Sequence, residues 1–291
     1  MKSSFALTLA LLLAAGCRGT DGDAATENEP EQLASGANLS LTRLDCGRAD
    51  FKDMNAFFSD RPGVYPPGPG KAVDSCYLIR HGDQQMVWDT GFPAETRDKP
   101  MVQEEATFRI DRTLAEQLQE LGVKPEDVDI LGISHMHGDH LGQAAQFTNA
   151  RLVIGKRDFE MLAGKPEDTL GHWRAGSTGS PAQPNLSLVS GDFDIFGDGT
   201  VVALHLPGHT PDHLALLVRL NSGPVLLTGD LYHTTISREK RSMPGFNTSR
   251  EQTLQSMDRF EKLASELKAK VVIQHEPQDI AKLPAFSKAA E

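Results

Sequence analysis

The stretch 128-VDILGISHMHGDHLG-142 runs from an apolar segment directly into three histidines and an aspartate. Val128, Ile130, Leu131 and Ile133 have the density of a strand buried on both faces. His135, His137, Asp139 and His140 then follow at its C-terminal end, where α/β proteins assemble their sites. His135 and His137 lie two apart, so a slightly irregular backbone aims both at one ion. Asp139 and His140 come where the chain turns towards a helix and can reach a second.

Working outward, strand and helix signals alternate. Segments 75-SCYLIRHG-82 and 84-QQMVWDTG-91 read as a hairpin around Gly82-Asp83. Before them, 60-DRPGVYPPGPG-70 is loop. Leu114, Leu118 and Leu121 mark a helical face that Gly122 ends. Strands are expected at 151–155, 200–206, 214–220, 224–229 and 270–275, and helices at 157–162 and from a capping box at Ser249 and Gln252. Residues 164–185 read as loop. The pattern predicts one α/β domain from residue 39 to 291, without internal repeats.

Four further places carry metal-capable side chains just past apolar segments: Asp89 in 88-WDTG-91, His209 in 205-HLPGHTPDH-213, Asp230 in 228-TGD-230, and His275. Imidazole and carboxylate together suit zinc, with manganese, cobalt or iron as alternatives. Two divalent ions with three or four such ligands each would use five histidines and one or two carboxylates. No cysteine lies among these residues, so a thiolate site is excluded. His81, His172 and His233 read as surface residues, and His205 and His213 as structural ones, out of phase with His209.

The net charge of −11 over 291 residues argues against a nucleic-acid partner. Lys2 and the apolar run 5-FALTLALLLAA-15 read as a secretory signal peptide. Its ending, 13-LAAGC-17, resembles a bacterial lipobox, which implies a lipid on Cys17; a plain cleavage site is the alternative. Arg18 follows, so the expectation is an outer-membrane lipoprotein facing the periplasm, touching the membrane only through that lipid. Residues 18–38 are acidic and polar and read as a disordered tether. An oxidising compartment permits a disulfide between Cys46 and Cys76, and two buried thiols are the alternative.

The element 135-HMHGDH-140 resembles the HxHxDH motif of the metallo-β-lactamase superfamily. The order WDTG, HxHxDH, 208-GHTPDH-213, TGD and a late histidine is similar as well, over residues 40–280. The resemblance implies an αββα sandwich and two Zn2+. It implies His135, His137 and His209 on one ion, Asp139, His140 and His275 on the other, Asp230 bridging them, and Asp89 supporting the ligands. Asp139 would also steer the attacking hydroxide and move its proton.

Within the superfamily the chain is most similar to the N-acyl-homoserine lactonases, which share the bridging aspartate and a late histidine as in 275-HEPQD-279. A lactone opened by metal-bound hydroxide attack on the carbonyl is therefore the expected substrate. The third subclass of metallo-β-lactamases normally lacks that aspartate. Glyoxalase II-like thioesterases carry a helical glutathione-binding extension that nothing after His275 resembles. Flavodiiron-type members place a glutamate where His137 stands. β-Lactam hydrolysis, or hydrolysis of another carboxylic ester or thioester, is the alternative enzyme reading, with a phosphate or sulfate ester as a remoter one. A non-catalytic metal-binding lipoprotein is the alternative from another class. The lactonases place a tyrosine shortly after the bridging aspartate, which assigns a catalytic role to Tyr232, although one residue too early. Gly138 is a second departure, since some lactonases carry a bulky aromatic there; it would widen the pocket. Phe57, Phe58 and the loop around Tyr65 are candidates for an acyl groove.

Overall fold

The computed structural model describes residues 38–176 and 185–291. The signal peptide, Cys17 and all of the tether but its last residue lie outside the described residues. Among those described, eight strands form one sheet: β1 (Leu39–Phe51), β2 (Gly70–His81), β3 (Gln84–Trp88), β4 (Met101–Val102), β5 (Ala106–Arg109), β6 (Ile130–Gly132), β7 (Arg151–Gly155) and β8 (Leu186–Val189). Its spatial order is β4-β5-β1-β2-β3-β6-β7-β8. A second sheet, in reverse spatial order, holds β9 (Phe193–Asp194), β10 (Val201–His205), β11 (Leu214–Leu220), β12 (Gly223–Leu227) and β13 (Lys270–Val272).

Alternation along the strands creates the layers. On β2, Tyr77 and Ile79 face the second sheet, and Cys76 and Leu78 face outward. On β11, Leu214, Leu216 and Val218 face inward, and Ala215 and Leu217 face outward. The inner faces meet in a core that includes Trp88, Met86 and Val225. The outer face of the first sheet is covered by α2 (Leu114–Glu120), α3 (Gly138–Leu141), α4 (Lys156–Leu162) and α5 (Gly171–Gly176) through Leu114, Leu141, Phe159 and Trp173. Met257, Phe260 and Ala264 of the long helix α7 (Arg250–Leu267) cover the second. This is the αββα sandwich.

Two further short α-helices among the described residues are α1 (Met54–Phe58) and α6 (Thr235–Lys240). The region 164–185, expected as loop, contains α5, whose Trp173 is buried and donates to the Ala150 carbonyl at 3.0 Å. At α7, Ser249 accepts from the Gln252 N–H as expected of an N-cap. No described helix is long and apolar enough to cross a membrane.

Cys46 and Cys76 are disulfide-bonded on neighbouring strands, with Cα atoms 5.7 Å apart. Cys46 occupies a bulge, where the β1–β2 register shifts between Asp45 and Gly47. Against it lies Gly91, at φ +65°, where a Cβ would stand 2.5 Å from that of Cys46. The bridge therefore anchors the bulge against the turn that follows β3. Closing a loop of about 30 residues stabilises by roughly 3–4 kcal/mol. Replacing both cysteines by serine should lower unfolding stability by about that amount in denaturant titrations. Dithiothreitol should lower the melting temperature of the wild type and leave the variant's unchanged.

Candidate metal centre

The seven side chains expected as ligands converge from strand ends. His135 follows β6, and His137 is the N-cap of α3, whose first turn carries Asp139 and His140. His209 stands in the turn after β10. Asp230 lies in the 3-10 turn Gly229–Leu231 after β12, and His275 follows β13. Gly208, at φ +136°, lets the His209 turn pack on α7, because a Cβ there would stand 2.3 Å from the Thr253 nitrogen.

The side chains form two groups, His135, His137, His209 and Asp230 in one, and Asp139, His140 and His275 in the other. Within each, ligand atoms lie within 4.8 Å of one another. In the first, His137 Nδ1 is 2.9 Å from His135 Nε2 and 3.0 Å from His209 Nε2. Asp230 spans the pair. Its Oδ2 is 3.3 Å from His209 Nε2 and 3.6 Å from His135 Nε2. Its Oδ1 is 2.9 Å from His275 Nε2 and 3.3 Å from His140 Nε2.

Neighbouring groups fix the rings. His140 Nδ1 donates to Asp89 Oδ2 at 2.9 Å, and Asp89 Oδ1 accepts the Ser134 N–H at 2.7 Å. His275 Nδ1 donates to the Val73 carbonyl at 2.9 Å, and His209 Nδ1 to Asn247 Oδ1 at 2.8 Å. Each such bond leaves Nε2 as the end directed at Asp230, where a cation can replace its proton. His140 Nε2 is buried and has no hydrogen-bond partner, with Asp230 and Asp139 oxygens at 3.3 and 3.8 Å. A buried ring nitrogen without a hydrogen-bond partner among anionic oxygens is an arrangement that a divalent cation satisfies, so the donor set fits metal.

Asp89 holds its place at φ +59°, in the left-handed region. A conformation that costs an aspartate on the order of 1 kcal/mol is retained where its carboxylate orders both His140 and the His135 loop.

Charge balance in the pocket has the same logic. Burial alone would raise Asp230, yet His275, His233, His140 and His135 hold it well below the usual carboxylate range. Burial alone would lower His275, but Asp230 foremost, with Asp74 and Asp139, raises it to about 9. Burial and His209 push His137 down to about 3, and burial and His140 hold His135 well below its ordinary value, so both rings stay neutral and can ligate a cation.

The structure corrects two assignments. Tyr232 does not reach the ligands. Its backbone is extended (φ −137°, ψ 130°), which sends adjacent side chains to opposite sides. The ring packs on Phe260 behind the second sheet, beside Glu261 and Arg238. His233, read as a surface residue, is the one delivered to the site. It is 3% exposed, its Nε2 lies 3.0 Å from Asp230 Oδ2, and its ring stacks on that of His275. His213 lies outside both groups; its Nε2 accepts the Asp230 N–H at 2.9 Å and its Nδ1 donates to the Leu206 carbonyl. His205 contacts Asp212, His81 contacts Asp198, and His172 is exposed.

A cavity of about 430 Å3 opens on the centre. Its polar end is His137, Asp139, Asp230, His233 and His275, and its apolar wall includes Phe51, Phe57, Phe58, Phe92, Phe108 and Phe246. Tyr65 is buried behind Phe58, and its hydroxyl bonds to Thr234 Oγ1 at 2.9 Å. A Cβ on Gly138, which lines the cavity, would meet nothing within 4 Å, so this position leaves the pocket open.

Residues 70–275 match the family model of the metallo-beta-lactamase superfamily, and the chain belongs to that superfamily. Among its relatives is the N-acyl homoserine lactonase AttM of Azorhizobium caulinodans, 35% identical over 62% of this chain and 70% of its own length. AttM of Rhizobium johnstonii is 31% identical over 74% of this chain and 85% of its own. Of the solved structures, a quorum-quenching N-acyl homoserine lactone hydrolase superposes with a TM-score of 0.71 at 22% identity, covering 86% of this chain and 97% of its own. The dizinc quorum-quenching lactonase AidC superposes with a TM-score of 0.62 at 19% identity, covering 82% of this chain and 88% of its own. These two likenesses show the sandwich fold.

The raised His275 gives a pH prediction. Its ordinary value is about 6.5, so in metal-free protein its pairing with Asp230 stabilises fully below that pH. The contribution is lost as pH rises through about 9. The melting temperature of metal-free protein should therefore fall between pH 7 and 10. Zinc uptake at pH 7 should release protons, visible as a buffer-dependent heat in calorimetry. A melting temperature that climbs with pH over this range would contradict the assignment.

Proposed function

We propose that the chain is a dinuclear zinc N-acyl-homoserine lactonase, held in the periplasm by a lipid on Cys17. One observation carries the chemical part: two groups of metal-capable side chains share Asp230 at the polar end of an aromatic-walled cavity. The lactonase relatives support the substrate. The Cys46–Cys76 disulfide supports an oxidising compartment, and with it export through the signal peptide.

His135, His137 and His209 would hold one ion, and Asp139, His140 and His275 the other, with Asp230 between them. Bound there, two zinc ions supply Lewis acidity to the lactone carbonyl and lower the pKa of the attacking water. The chain's own residues do the rest. The phenylalanine wall takes the acyl chain from water and excludes solvent from the reacting carbonyl. Asp139 lines the cavity with a quarter of its side chain exposed, 3.8 Å from His140 Nε2 and 3.9 Å from His275 Nε2. There it can take the proton of the attacking water and return it to the ring oxygen as the acyl–oxygen bond breaks. The product is an N-acyl homoserine, whose carboxyl group ionises and releases one proton per turnover.

That proton is the readout. Zinc-loaded protein should acidify a weakly buffered solution of N-acyl-homoserine lactone, and Asp230→Ala should lower kcat/KM by more than about 100-fold. Each methylene buried in the cavity contributes up to about 0.8 kcal/mol, so kcat/KM should rise roughly two- to fourfold per carbon as the acyl chain lengthens, until the cavity is full. A penicillin, a cephalosporin and a carbapenem are run in parallel. Rapid β-lactam opening with inert lactones would reverse the choice of substrate while leaving the metal centre intact.

A further inference from the structure

A buried carboxylate that touches neither the cavity nor the ligands joins the two loops carrying the first metal group. Asp158, the third residue of α4, is fully buried. Its Oδ2 accepts the Met136 N–H at 3.2 Å and the Thr210 hydroxyl at 2.5 Å, and its Oδ1 accepts the Asp212 N–H at 3.0 Å. Met136 is the residue between His135 and His137, and Thr210 directly follows His209. One side chain thus binds the N–H between His135 and His137 and, on the other loop, the hydroxyl of the residue after His209 and the N–H of Asp212.

The clamp is reciprocal. Asp212 accepts from the Arg157 N–H at 2.7 Å and from its guanidinium, and its Oδ1 lies 2.9 Å from His205 Nε2. The loop that carries His209 is thereby tied to the first turn of α4. Gly155, ahead of that helix, allows the approach: a Cβ there would stand 2.3 Å from the Asp212 carbonyl oxygen. The second group is ordered by other partners, with Asp89 on His140 and the Val73 carbonyl on His275.

We propose that Asp158 is a positioning residue for the first metal group alone, setting the spacing of His135 and His137 against His209. This rests on the reading that the two groups hold two ions. An acceptor of three hydrogen bonds is poorly replaced by an amide, whose nitrogen would face donors. Loosening of the clamp lets the His135–His137 loop and the His209 loop drift apart without altering Asp89, His140 or His275.

The test is zinc titration of metal-free full-length protein against a chromophoric chelator, for wild type, Asp158→Asn, Thr210→Val and Thr210→Ser. Wild type should bind two ions per chain. Asp158→Asn and Thr210→Val should bind one with wild-type affinity and the other about 10–100-fold more weakly. Thr210→Ser, which keeps the hydroxyl, should retain both. Affinities that are unchanged, or that fall together, would overturn the proposal, the latter because it reports general loosening of the fold. If Asp158→Asn does not fold, the valine and serine variants at 210 decide the matter. A wild type that binds fewer than two ions overturns the two-ion reading and this inference with it, whatever lactone assays show.

Discussion

The structure depends on one buried carboxylate shared by histidines from four loops. Asp230 has imidazole nitrogens of His135, His140, His209, His233 and His275 within 3.6 Å, and is 3% exposed. An ionised carboxylate buried without compensation costs several kcal/mol. Here positive charge must be supplied at the same place, by protonated histidines or by metal. The sandwich makes that convergence achievable. The ligands follow β6, β10, β12 and β13, so packing between the sheets fixes their starting points before any side chain is oriented.

The residues that the structure brings together are ones that sit beside one another in the sequence or directly follow an apolar strand. His135 to His140 span six positions, and Asp89, Asp230 and His275 each end a buried segment. The same logic failed two residues beyond Asp230. After the 3-10 turn the backbone is extended, and a shift of one residue exchanges the two faces. Tyr232 therefore enters the core against Phe260, and His233 returns to the cavity. Only the turn geometry separates these outcomes, and the string Asp-Leu-Tyr-His does not encode it visibly. The Asp158 clamp was illegible for another reason. Its partners are two backbone N–H groups and a hydroxyl, between 22 and 54 residues away.

The cavity wall shows the same limit on a larger scale. Phe57 and Phe58 announce themselves as an aromatic pair, but Phe51 arrives from β1, Phe92 from the turn after β3, Phe108 from β5 and Phe246 from the loop before α7. Phe51 packs edge-on with Phe58 and Phe108 at ring separations of 4.8 and 5.9 Å. Phe246 lies 5.8 Å from Phe57 and 5.9 Å from His137. No local pattern joins these residues; the pairing of β1 with β5 sets Phe51 beside Phe108, and α1 and the two loops packed on that edge bring the rest.

Separate devices hold the two functions of the site. The spacing of the metal-capable side chains is set by Asp89, Asn247 and the Val73 carbonyl on the rings and by Asp158 on the loops, all at or beneath the sandwich edge. Much of the substrate wall comes from α1, the β4–β5 hairpin and the loop of Phe246, which pack on that edge without carrying a ligand. A change in the wall therefore alters what the cavity admits while the metal-capable atoms keep their spacing. The strained Asp89 is consistent with this division: its left-handed backbone is tolerated because two buried hydrogen bonds depend on it. Gly138 and the cavity phenylalanines are under no such constraint, which leaves specificity free to vary around a fixed centre.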